Sequence, residues 1–534
     1  MEGAPRAGGQ SYGLLASPAC YSKYLPNSAM PQKRPFPRIC IALGVPDAGT
    51  LLEHARREAE AGEAFLEFRL DYLPDPEQGA RVISDFLKRH PECTVLATCR
   101  RHQNHGKFNG SVEEQFRVLE LAIAAGAQAA DVEIESVEAA SEKLNTFRGH
   151  ARIVISYHNF ESTPQLDTLL KRMTHYPADA YKIVVAARKP SDNARVLALT
   201  RSHSRTPLVV LAVGELGFPT RVLSPAFGGL YTYAAPTAVQ GTAPGQVSAR
   251  LLRHLYRIEK ISRDAKVYGV IADPIRHTIS PAVHNRGFQA RRMDAVYLPF
   301  LVSPLQLRNF FGLAEKIPIS GFSVTIPHKQ KVVRYLDTVD TVARRIGAVN
   351  TVWRKAGKWR GANTDAAAVL APLSKHMRPS HASVLIVGNG GAARGAACAL
   401  IDAGAKVSIV GRNPDRVRAL ARLCGAEALL KDQAEARHFD ALVHATPLGM
   451  YPHMNESFFE NHIPAEIVFD MVYNPIETQL IRHARDQNKV VIPGLEMFVE
   501  QAVRQFEIWT SESAPRPVME KAALEALEQS AHGL

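Results

Sequence analysis

Short runs of β-branched and other apolar residues alternate with Ala- and Leu-rich stretches of helical character from Arg38 onward. Eight strands separated by helices are typical of a (β/α)8 barrel, although some short intervals between the runs also fit a doubly wound sheet. The predicted strands are Ile39–Leu43, Phe65–Asp71, Thr94–Cys99, Ala129–Glu135, Arg152–Tyr157, Ala180–Val185, Pro207–Val213 and Leu230–Ala234.

The second predicted strand carries three charged residues on one face. Glu67, Arg69 and Asp71 occupy alternate positions, so on a strand their side chains point the same way. One interpretation is an internal layer of salt bridges, because unpaired buried charges are costly. The other is a substrate site, because Arg100 and Glu135 end the next two strands and barrel active sites lie at the carboxyl ends of strands.

Lys182 lies within the apolar sixth strand, and His158 follows the fifth. A lysine in this setting either reaches the rim with its ammonium group in water or serves as an amine nucleophile. Taken alone, the rim position is favoured, since lysines buried in a core are rare. The histidine one strand earlier reverses this preference, because a Schiff-base lysine needs a nearby proton shuttle.

The second half contains a strand, a glycine-rich turn, a helix and a second strand within residues 384–416. We predict the strand at 384–387, the turn at 388–393 and the helix at 394–403. Glycines there let the backbone approach a pyrophosphate that sits on the helix N-terminus. In this context the pattern predicts a Rossmann dinucleotide-binding domain rather than a purely structural turn.

The end of the second strand in this unit indicates the cofactor. An NAD site usually has Asp or Glu at this position for the ribose hydroxyl, whereas this chain has Gly411, Arg412 and Asn413, with Arg416 soon after. Two arginines suit a 2′-phosphate, and the sequence therefore predicts NADP. The alternative is a solvated basic pair at the start of a helix.

Between the two halves, residues 266–370 carry hydroxyl and amide side chains in short clusters between apolar runs. Within these clusters, Lys329 and Asp365 are the only pair that could move a proton. A carboxylate close to a lysine amine can orient it toward a carbinol hydroxyl. An exposed ion pair is the alternative, and the residues alone leave both open.

Composition narrows the class of protein. Hydrophobic residues make up 46% and charged residues 22%, and no apolar stretch is long enough to span a bilayer. The 64 Lys and Arg residues exceed the 52 Asp and Glu residues, but they are dispersed and form no nucleic-acid-binding motif. The positive balance therefore favours small anionic ligands, with no nucleic acid and no membrane as partners.

The six cysteines form no CxxC pair, so the sequence predicts a reducing compartment, no disulfide framework and no metal site. Residues 1–34 are rich in Gly, Pro, Ala and Ser and lack an apolar signal region, which predicts a flexible extension. We expect a cytoplasmic protein, or a plastid protein if this extension is a transit peptide.

Several first-half segments fall in the order found in one enzyme family. SYHNFESTP at 156–164 resembles the SYHDF-x-x-TP segment of type I 3-dehydroquinate dehydratases, and EFRLD, TCRR, YKIV, TRVLS and TAPGQ follow the same order over about residues 38–255. The resemblance implies that Lys182 forms an imine with the substrate ketone and that His158 is the general acid/base. The residues it implies for binding the substrate carboxylate and hydroxyls are Glu67, Arg69, Arg100, Arg221, Thr242 and Gln246.

About residues 266–530 resemble shikimate dehydrogenases, through segments such as GAVNT, GANTD, ATPLGM and DMVYNP. The resemblance implies that Lys329 and Asp365 are the catalytic pair. The residues it implies for binding shikimate are Thr278, Ser280, Thr325, Asn350, Asp365, Tyr473 and Gln501. Those it implies for the NADP site are Gly388, Asn389, Gly390, Gly391, Ala392, Arg412, Arg416, Thr446, Met471 and Gly494.

The chain departs from both family patterns at a few positions. In the first half, Asn104 stands where a glutamate is frequent, Thr242 replaces serine, and the usual methionines are absent from the seventh strand. In the second half, other residues replace the usual ones at Thr278, Ser323, Ala366 and Gly411. The hydroxyl at Thr278 is retained, which favours shikimate over quinate.

The sequence therefore predicts a bifunctional enzyme that converts 3-dehydroquinate to 3-dehydroshikimate and then to shikimate. The alternatives are a quinate dehydrogenase in the second half and a non-catalytic sensor of these intermediates. The predicted divisions are an extension at 1–34, a barrel at 35–255, a substrate-binding domain at 266–375, a Rossmann domain at 380–490 and C-terminal helices at 491–534 that return to the substrate lobe.

Overall fold

The computed structural model describes residues 35–236, 241–275 and 278–531, so the predicted extension at 1–34 lies outside the described residues. The chain forms two compact units. One contains Gly44–Val154, and the other contains Pro37–Leu43 and Ile155–Leu534. Among the described residues, no helix is long and apolar enough to cross a membrane.

The first half contains eight strands that form one sheet. The strands are β1 (Ile39–Leu43), β2 (Phe65–Arg69), β3 (Thr94–Thr98), β4 (Ala129–Glu133), β5 (Arg152–Asn159), β6 (Ala180–Ala186), β7 (Leu208–Val213) and β8 (Thr232–Ala234). Their order is β7-β6-β5-β4-β3-β2-β1-β8, with parallel pairing in β2–β3, β3–β4, β6–β7 and β1–β8. The predicted parallel α/β barrel is confirmed.

Helices separate these strands, as a barrel requires. They are α1 (Ala48–Glu60), α2 (Gln78–Leu87), α3 (Val112–Ala124), α4 (Ile134–Ala139), α5 (Leu144–Phe147), α6 (Leu166–Thr174), α7 (Pro190–Ser202) and α8 (Gly214–Ala226). Local geometry fixes several of their starts. Ser111, for example, accepts a hydrogen bond from Glu114 N, and the Glu114 side chain accepts one from Ser111 N, a capping box that begins α3.

Three of the predicted strands, β2, β3 and β4, end one or two residues earlier than predicted, and β5 and β6 end one or two residues later. Asp71 lies in a single 3₁₀ turn after β2, and Glu135 lies in α4, so neither residue is on a strand. His158 lies within β5 instead of following it. The chain turns at Leu70 and at Ile134, where both apolar side chains are still buried, so hydrophobic pattern alone could not mark these strand ends.

The second sheet has six strands and lies within residues 266–362. They are β9 (Lys266–Ala272), β10 (Ala295–Leu301), β11 (Ile319–Val324), β12 (Thr338–Val339), β13 (Thr351–Lys355) and β14 (Lys358–Ala362), in the order β10-β9-β11-β13-β14-β12. β9 pairs in parallel with β10 and β11, whereas β13 runs antiparallel to β11 and β14. The helices of this region are α9 (Ser280–Ala290), α10 (Leu307–Ala314), α11 (Thr341–Ile346) and α12 (Asp365–Leu373).

The third sheet is entirely parallel and has the doubly wound order of a Rossmann fold. Its strands are β15 (Ser383–Val387), β16 (Lys406–Val410), β17 (Glu427–Ala428), β18 (Phe439–His444), β19 (Ala465–Asp470) and β20 (Val490–Ile492), in the order β17-β16-β15-β18-β19-β20. Its helices are α13 (Gly391–Asp402), α14 (Pro414–Cys424), α15 (Lys431–Glu435) and α16 (Gln479–Asp486). α13 begins at Gly391, so Gly391 and Ala392 belong to its first turn and not to the preceding loop.

Two long helices, α17 (Gly494–Thr510) and α18 (Arg516–Ala531), follow the third sheet. Their apolar side chains pack into the core of the second sheet. Phe506 and Met519 share a buried cluster with Tyr268 of β9 and Phe288 of α9. The chain therefore passes through the third sheet and then returns to complete the core of the second.

Candidate active sites

Buried charges cluster at the carboxyl end of β2. Arg69 donates from Nε and Nη2 to the two Asp71 carboxylate oxygens at 2.9 and 2.8 Å. Thr98 of β3 donates to Glu67 Oε1 at 2.8 Å. Burial opposes the charge of Asp71, but Arg69, Arg100 and the backbone N–H of Lys107 together outweigh it and lower the pKa of that carboxyl. Arg69 and Asp71 thus form an internal salt bridge, and Glu67 is held by a hydroxyl from the next strand.

Arg100 lies close to two buried carboxylates, those of Asp131 and Glu133. Its guanidinium is 3.6 Å from Asp131 Oδ2 and 3.7 Å from Glu133 Oε1. Gln115 donates to Glu133 Oε2 at 2.5 Å. Burial raises the pKa of Glu133 to about 7, a shift that the charge of Arg100 only partly offsets. Asn104 donates to Glu135 Oε2 at 2.9 Å, so this position keeps a polar contact despite its departure from the family pattern.

Lys182 and His158 lie on the neighbouring strands β6 and β5. Their exposed fractions are 2% and 7%, so both are buried. This burial argues against the rim position that Lys182 would favour if considered alone. A small apolar cluster of Val184, Ala186 and Val213 continues along β6 and β7. The lysine therefore sits in an apolar strand environment beside a strand that carries a histidine.

Arg221 of α8 is a buried cation without an ion-pair partner among the described residues. Its Nη1 donates to the Tyr233 carbonyl at 3.1 Å and its Nη2 to the Pro244 carbonyl at 3.3 Å. Its Nε has no hydrogen-bond partner in the described part of the chain. Burial lowers the pKa of Arg221 to about 10. A buried guanidinium with an open donor is suited to receive a carboxylate.

Thr242 and Gln246 lie on one short loop close to this arginine. Gln246 Nε2 donates to Thr242 Oγ1 at 3.5 Å, and its Oε1 accepts from Ala243 N at 3.3 Å. Gly245 has a φ of +74°, and a Cβ atom there would lie 2.6 Å from the Gly214 carbonyl oxygen. The glycine is therefore required for the loop that carries Thr242 and Gln246 to approach the start of α8.

In the second half, Lys329 and Asp365 meet. Lys329 Nζ donates to Asp365 Oδ2 at 2.6 Å, and Asn350 Nδ2 donates to Asp365 Oδ1 at 2.7 Å. Thr364 N and Thr351 Oγ1 both donate to Asn350 Oδ1 at 2.8 Å, which fixes the amide orientation. The Lys329 and Asp365 side chains are 22% and 10% exposed. The pair is therefore partly shielded from water and still reachable by a ligand.

The other predicted shikimate-binding residues lie on several elements near β9, α9 and α17. Thr278 Oγ1 accepts from Ser280 N at 3.3 Å where α9 begins, and Thr325 follows β11. Gln501 donates to the Phe498 carbonyl at 2.9 Å, and Tyr473 packs on the Phe498 ring with centroids 4.6 Å apart. Burial raises the pKa of Tyr473 to about 12.

The glycine-rich turn after β15 leaves room for a ligand. Gly388 has a φ of +129°, and a Cβ atom there would lie 2.7 Å from the Ala445 carbonyl oxygen. At Gly390 and Gly391 a Cβ would meet nothing within 4 Å, so open space lies over the N-terminus of α13. These backbone N–H groups and the helix dipole suit a phosphate. Asn389 lies between these glycines, in the same turn.

The basic pair follows β16. Arg412 is exposed, and Arg416 lies in the first turn of α14, where its backbone N–H donates to the Asn413 cap at 3.0 Å. Both arginines thus lie beyond the strand that neighbours β15. The residues present fit a dinucleotide with an additional phosphate on its ribose.

A buried network supports the loops after β18 and β19. His444 Nδ1 lies 2.8 Å from Asp470 Oδ1, and His444 Nε2 lies 2.5 Å from Thr446 Oγ1. Met471 N donates to the His444 carbonyl at 3.0 Å. A Cβ atom at Gly494 would lie 2.4 Å from the Val472 carbonyl oxygen. The network thus ties together the loops that carry Thr446, Met471 and Gly494.

Four family models match consecutive parts of the chain. Type I 3-dehydroquinase matches residues 39–263, and the shikimate dehydrogenase substrate binding domain matches 270–352. Shikimate / quinate 5-dehydrogenase matches 372–470, and the shikimate 5′-dehydrogenase C-terminal domain matches 494–524.

One relative spans both halves. The chloroplastic bifunctional 3-dehydroquinate dehydratase/shikimate dehydrogenase of Arabidopsis thaliana is 34% identical over 508 residues, which cover 90% of this chain and 83% of the relative. The chain belongs to this bifunctional family. The shikimate biosynthesis protein AroDE of Chlamydia pneumoniae is 30% identical to this chain over 381 residues, which cover 71% of this chain and 78% of the relative.

Further relatives match only the dehydrogenase half of this bifunctional enzyme. Shikimate dehydrogenase (NADP(+)) of Maridesulfovibrio salexigens is 39% identical over 254 residues, 47% of this chain and 93% of the relative. A solved shikimate dehydrogenase in complex with NADP+ is 33% identical, with a TM-score of 0.47, and the match covers 50% of this chain and 97% of that one. The Thermus thermophilus enzyme in complex with NADP(H) and shikimate is 32% identical, with a TM-score of 0.46, and the match covers 49% of this chain and 99% of that one.

Sequence reasoning missed Gln505 and Tyr233, which contact predicted site residues: Gln505 Nε2 donates to the Asn350 carbonyl at 3.3 Å, and the Tyr233 ring lies against Lys182 Nζ. Ser323 of the dehydrogenase half donates to Gln505 Oε1 at 2.7 Å and accepts from the Tyr297 hydroxyl at 2.7 Å. Gln505 lies on α17, far along the chain, and no local pattern connects it to β11. In the dehydratase half, Lys182 Nζ lies over the ring of Tyr233 on the short strand β8. No motif in the sequence pointed to this contact.

Proposed function

We propose that this chain catalyses two consecutive reactions, the dehydration of 3-dehydroquinate to 3-dehydroshikimate and the NADPH-dependent reduction of that product to shikimate. We assign the first reaction to residues 35–255 and the second to residues 266–534. Within the second half, we assign substrate binding to residues 266–375 and to the helices from residue 491 onward, and NADP binding to residues 380–490. The observation that carries the proposal is the pair of buried or half-buried lysines in separate halves, Lys182 and Lys329, each beside a proton-transfer partner.

In the dehydratase half, the Lys182 amine adds to the substrate ketone, and the ketone oxygen leaves as water to give a protonated imine. His158, on the neighbouring strand, serves as general acid for that departure. It then removes a proton from the carbon beside the imine and returns it to the departing hydroxyl, so that water is lost. Addition of one water to the imine carbon releases the product ketone and restores the Lys182 amine. The open donor of Arg221 supports a role in holding the substrate carboxylate.

The remaining polar residues of this half position the substrate hydroxyls. Glu67 and Arg69 lie at the carboxyl end of β2, and Arg100 follows β3, where barrels keep their active sites. Thr242 and Gln246 lie on the loop that approaches α8. None of these assignments needs a metal, and we propose a mechanism without one.

In the dehydrogenase half, Lys329 donates a proton to the carbonyl oxygen as that oxygen gains charge. Asp365 accepts a hydrogen bond from the Lys329 amine and fixes its direction, and Asn350 fixes Asp365 in turn. Thr278, Ser280, Thr325, Tyr473 and Gln501 supply hydroxyl, phenol and amide groups for the shikimate carboxylate and hydroxyls.

NADPH, when bound, supplies the hydride. The chain would hold its pyrophosphate at Gly388–Ala392 and its 2′-phosphate at Arg412 and Arg416, with Thr446, Met471 and Gly494 lining the remainder. The open space over the N-terminus of α13 supports this placement. The names of the dehydrogenase relatives, which specify NADP(+), support the same choice of cofactor.

We expect the enzyme to work in the cytoplasm, or in a plastid if residues 1–34 act as a transit peptide, as the chloroplastic relative illustrates. Its proposed partners are the three small anions named above. Imaging of the full-length chain with a C-terminal fluorescent tag tests the compartment.

The test of the two reactions is one absorbance trace on the purified full-length chain given 3-dehydroquinate, with NADPH added after a delay. We expect an enone signal to rise before NADPH is added and to fall as NADPH is consumed. Lys182→Ala should remove the rise while leaving reduction of added 3-dehydroshikimate intact. Lys329→Ala should leave the rise and remove the fall.

Other outcomes would overturn specific parts of the proposal. A rise without a later fall would disprove the reductase assignment. The alternative assignment for the second half would then be a quinate dehydrogenase that uses NAD. No rise with any preparation would disprove the dehydratase assignment and favour the non-catalytic sensor. Loss of both activities in Lys182→Ala would contradict the independence of the two sites.

A further inference from the structure

Tyr233 lies over the amine that we assign to imine formation. It occupies the middle of β8, and its exposed fraction is 4%. The Lys182 Nζ atom lies over the Tyr233 ring at 4.3 Å from the ring centroid. This distance is well within the range of about 6 Å at which a cation is attracted to the face of an aromatic ring.

Three contacts hold Tyr233, two at its backbone and one at its ring. The backbone of β8 pairs with β1, with Tyr233 opposite Cys40. Tyr231 meets the ring nearly edge-on, with centroids 5.6 Å apart and an interplanar angle of 66°. Arg221 donates to the Tyr233 carbonyl at 3.1 Å. The ring is therefore fixed beside Lys182, and the Tyr233 backbone accepts a hydrogen bond from the arginine proposed to bind the substrate carboxylate.

We propose that the face of Tyr233 stabilises the positive charge that the Lys182 nitrogen carries as the protonated imine of the dehydratase cycle. This inference rests on the proposed function, in which Lys182 forms the imine. When the neutral amine adds to the ketone carbon and the oxygen leaves as water, a proton is taken up and the nitrogen gains one positive charge as the protonated imine. That charge withdraws electrons from the adjacent carbon and makes its proton removable.

An aromatic ring suits this task because it is apolar and yet attracts cations. Its π-face carries partial negative charge and its edge partial positive charge, so a cation over the face is stabilised without a full counter-charge. A carboxylate in the same place would hold the free ammonium ion so tightly that the neutral amine needed for attack would be scarce. The weaker attraction of a ring stabilises the protonated imine and still allows the free lysine to lose its proton before attack.

The first test compares Tyr233→Phe with Tyr233→Leu. Tyr233→Phe keeps the ring face and should retain nearly all dehydratase activity. Tyr233→Leu removes the face and should lower kcat by about 10- to 30-fold, the range expected from a shielded cation–π contact. Reduction of the working enzyme with borohydride, followed by mass spectrometry, should show the same ranking in the fraction of chains that carry the trapped secondary amine.

Tyr181→Leu is the matched control. Tyr181 precedes Lys182 on β6, is similarly buried and points to the opposite face of the strand. Tyr181→Leu removes the same side-chain volume as Tyr233→Leu without uncovering the Lys182 amine. The fraction of folded chains that carry the trapped secondary amine should therefore equal that of wild type. Thermal melts of every variant report whether the barrel is folded.

The second test measures ring electronics directly. Tyr233→Phe is prepared with zero, one, two or three fluorine atoms on the ring, which weaken the negative face stepwise while barely changing its shape. We expect the logarithm of kcat to fall in step with each fluorine, and the trapped fraction to fall with it. A packing role alone would leave the series flat.

The outcomes separate this inference from the function on which it rests. If the wild-type chain traps no adduct at Lys182, the imine mechanism itself is wrong. If the wild-type chain traps the adduct but the fluorinated series is flat, only the role of Tyr233 is overturned. Equal kcat values for Tyr233→Phe and Tyr233→Leu would overturn it as well.

Discussion

Lys329 Nζ lies 2.6 Å from Asp365 Oδ2, and the other carboxylate oxygen of Asp365 accepts a hydrogen bond from Asn350. The carboxylate is thus fixed on one side by an amide and directs the lysine with the other. Such an arrangement favours one orientation of the amine toward a ligand. The position of the Lys329 amine, the proposed proton donor of the dehydrogenase half, therefore depends on three separate segments of the chain.

Removing the donor should stop reduction without unfolding the chain. Lys329→Ala is expected to lower kcat for 3-dehydroshikimate reduction by about 10²- to 10⁴-fold, the usual contribution of a positioned acid or base. Initial rates of NADPH oxidation measure the loss. Lys331→Ala, which changes an exposed lysine two residues further on, should behave as wild type. An equal loss in both variants would contradict a specific role for Lys329.

Arg221 should matter more for activity than for stability. Arg221→Met removes the group that we expect to bind the substrate carboxylate, so the KM for 3-dehydroquinate should rise by about 10- to 100-fold. Its buried charge has no ion-pair partner among the described residues, and its pKa is lowered to about 10. Loss of this charge should therefore leave Tm unchanged or slightly higher.

Steady-state kinetics and thermal melts of Arg221→Met should be compared with those of Arg205→Gln, since Arg205 is exposed. We expect the control variant to keep its KM. A large fall in Tm with an unchanged KM for Arg221→Met would show that the arginine is structural.

Cofactor preference should depend on the basic pair. Arg412→Ala and Arg416→Ala should each raise the KM for NADPH by about 10-fold or more, while leaving the KM for NADH nearly unchanged, because only NADPH carries the 2′-phosphate. Arg418→Ala is the control, since Arg418 lies on the same helix and pairs with Asp415. A parallel rise for NADH would refute the assignment of these arginines to the phosphate.

Glu133 should make the stability of the barrel depend on pH. Burial raises its pKa from 4.5 to about 7, so the folded chain binds this proton more tightly than the unfolded chain. The stabilisation is fully present below pH 4.5 and is lost as the pH rises through about 7. The free energy of unfolding should therefore fall over this window.

Urea unfolding of wild type and Glu133→Gln between these pH values isolates the effect. Glu133→Gln cannot titrate, so its difference from wild type should change steadily with pH across the window. Glu113→Gln alters an exposed carboxyl and should track wild type at every pH. A constant difference between wild type and Glu133→Gln would exclude the raised pKa.

The sequence could predict where strands begin better than where they end. Runs of β-branched residues placed all eight barrel strands, because a strand that is buried on both faces is apolar throughout. The ends of β2 and β4 were wrong, because Leu70 and Ile134 continue the apolar run into a turn and a helix. The start of α13 was also predicted too late, since small residues form both its preceding turn and its first turn.

Candidate residues were predictable where a local motif carried them. The histidine, the two lysines and the glycine turn each stand in a short segment of recognisable composition. The contacts that orient these residues could not be predicted from such segments. Asn350 reaches Asp365 only because β13 and β14 form a hairpin, and Gln505 reaches Ser323 only because α17 packs back on the second sheet.

The sequence by itself determined the two halves, the family resemblance of each and the candidate reactive side chains, because these depend on local patterns of polarity and on short motifs. Only the tertiary structure decided which groups face them. It alone pairs Arg69 with Asp71, leaves Arg221 without a carboxylate among the described residues and lays Tyr233 over Lys182. Those relations join side chains through space, and the strength of each depends on distance and burial that a linear pattern does not contain.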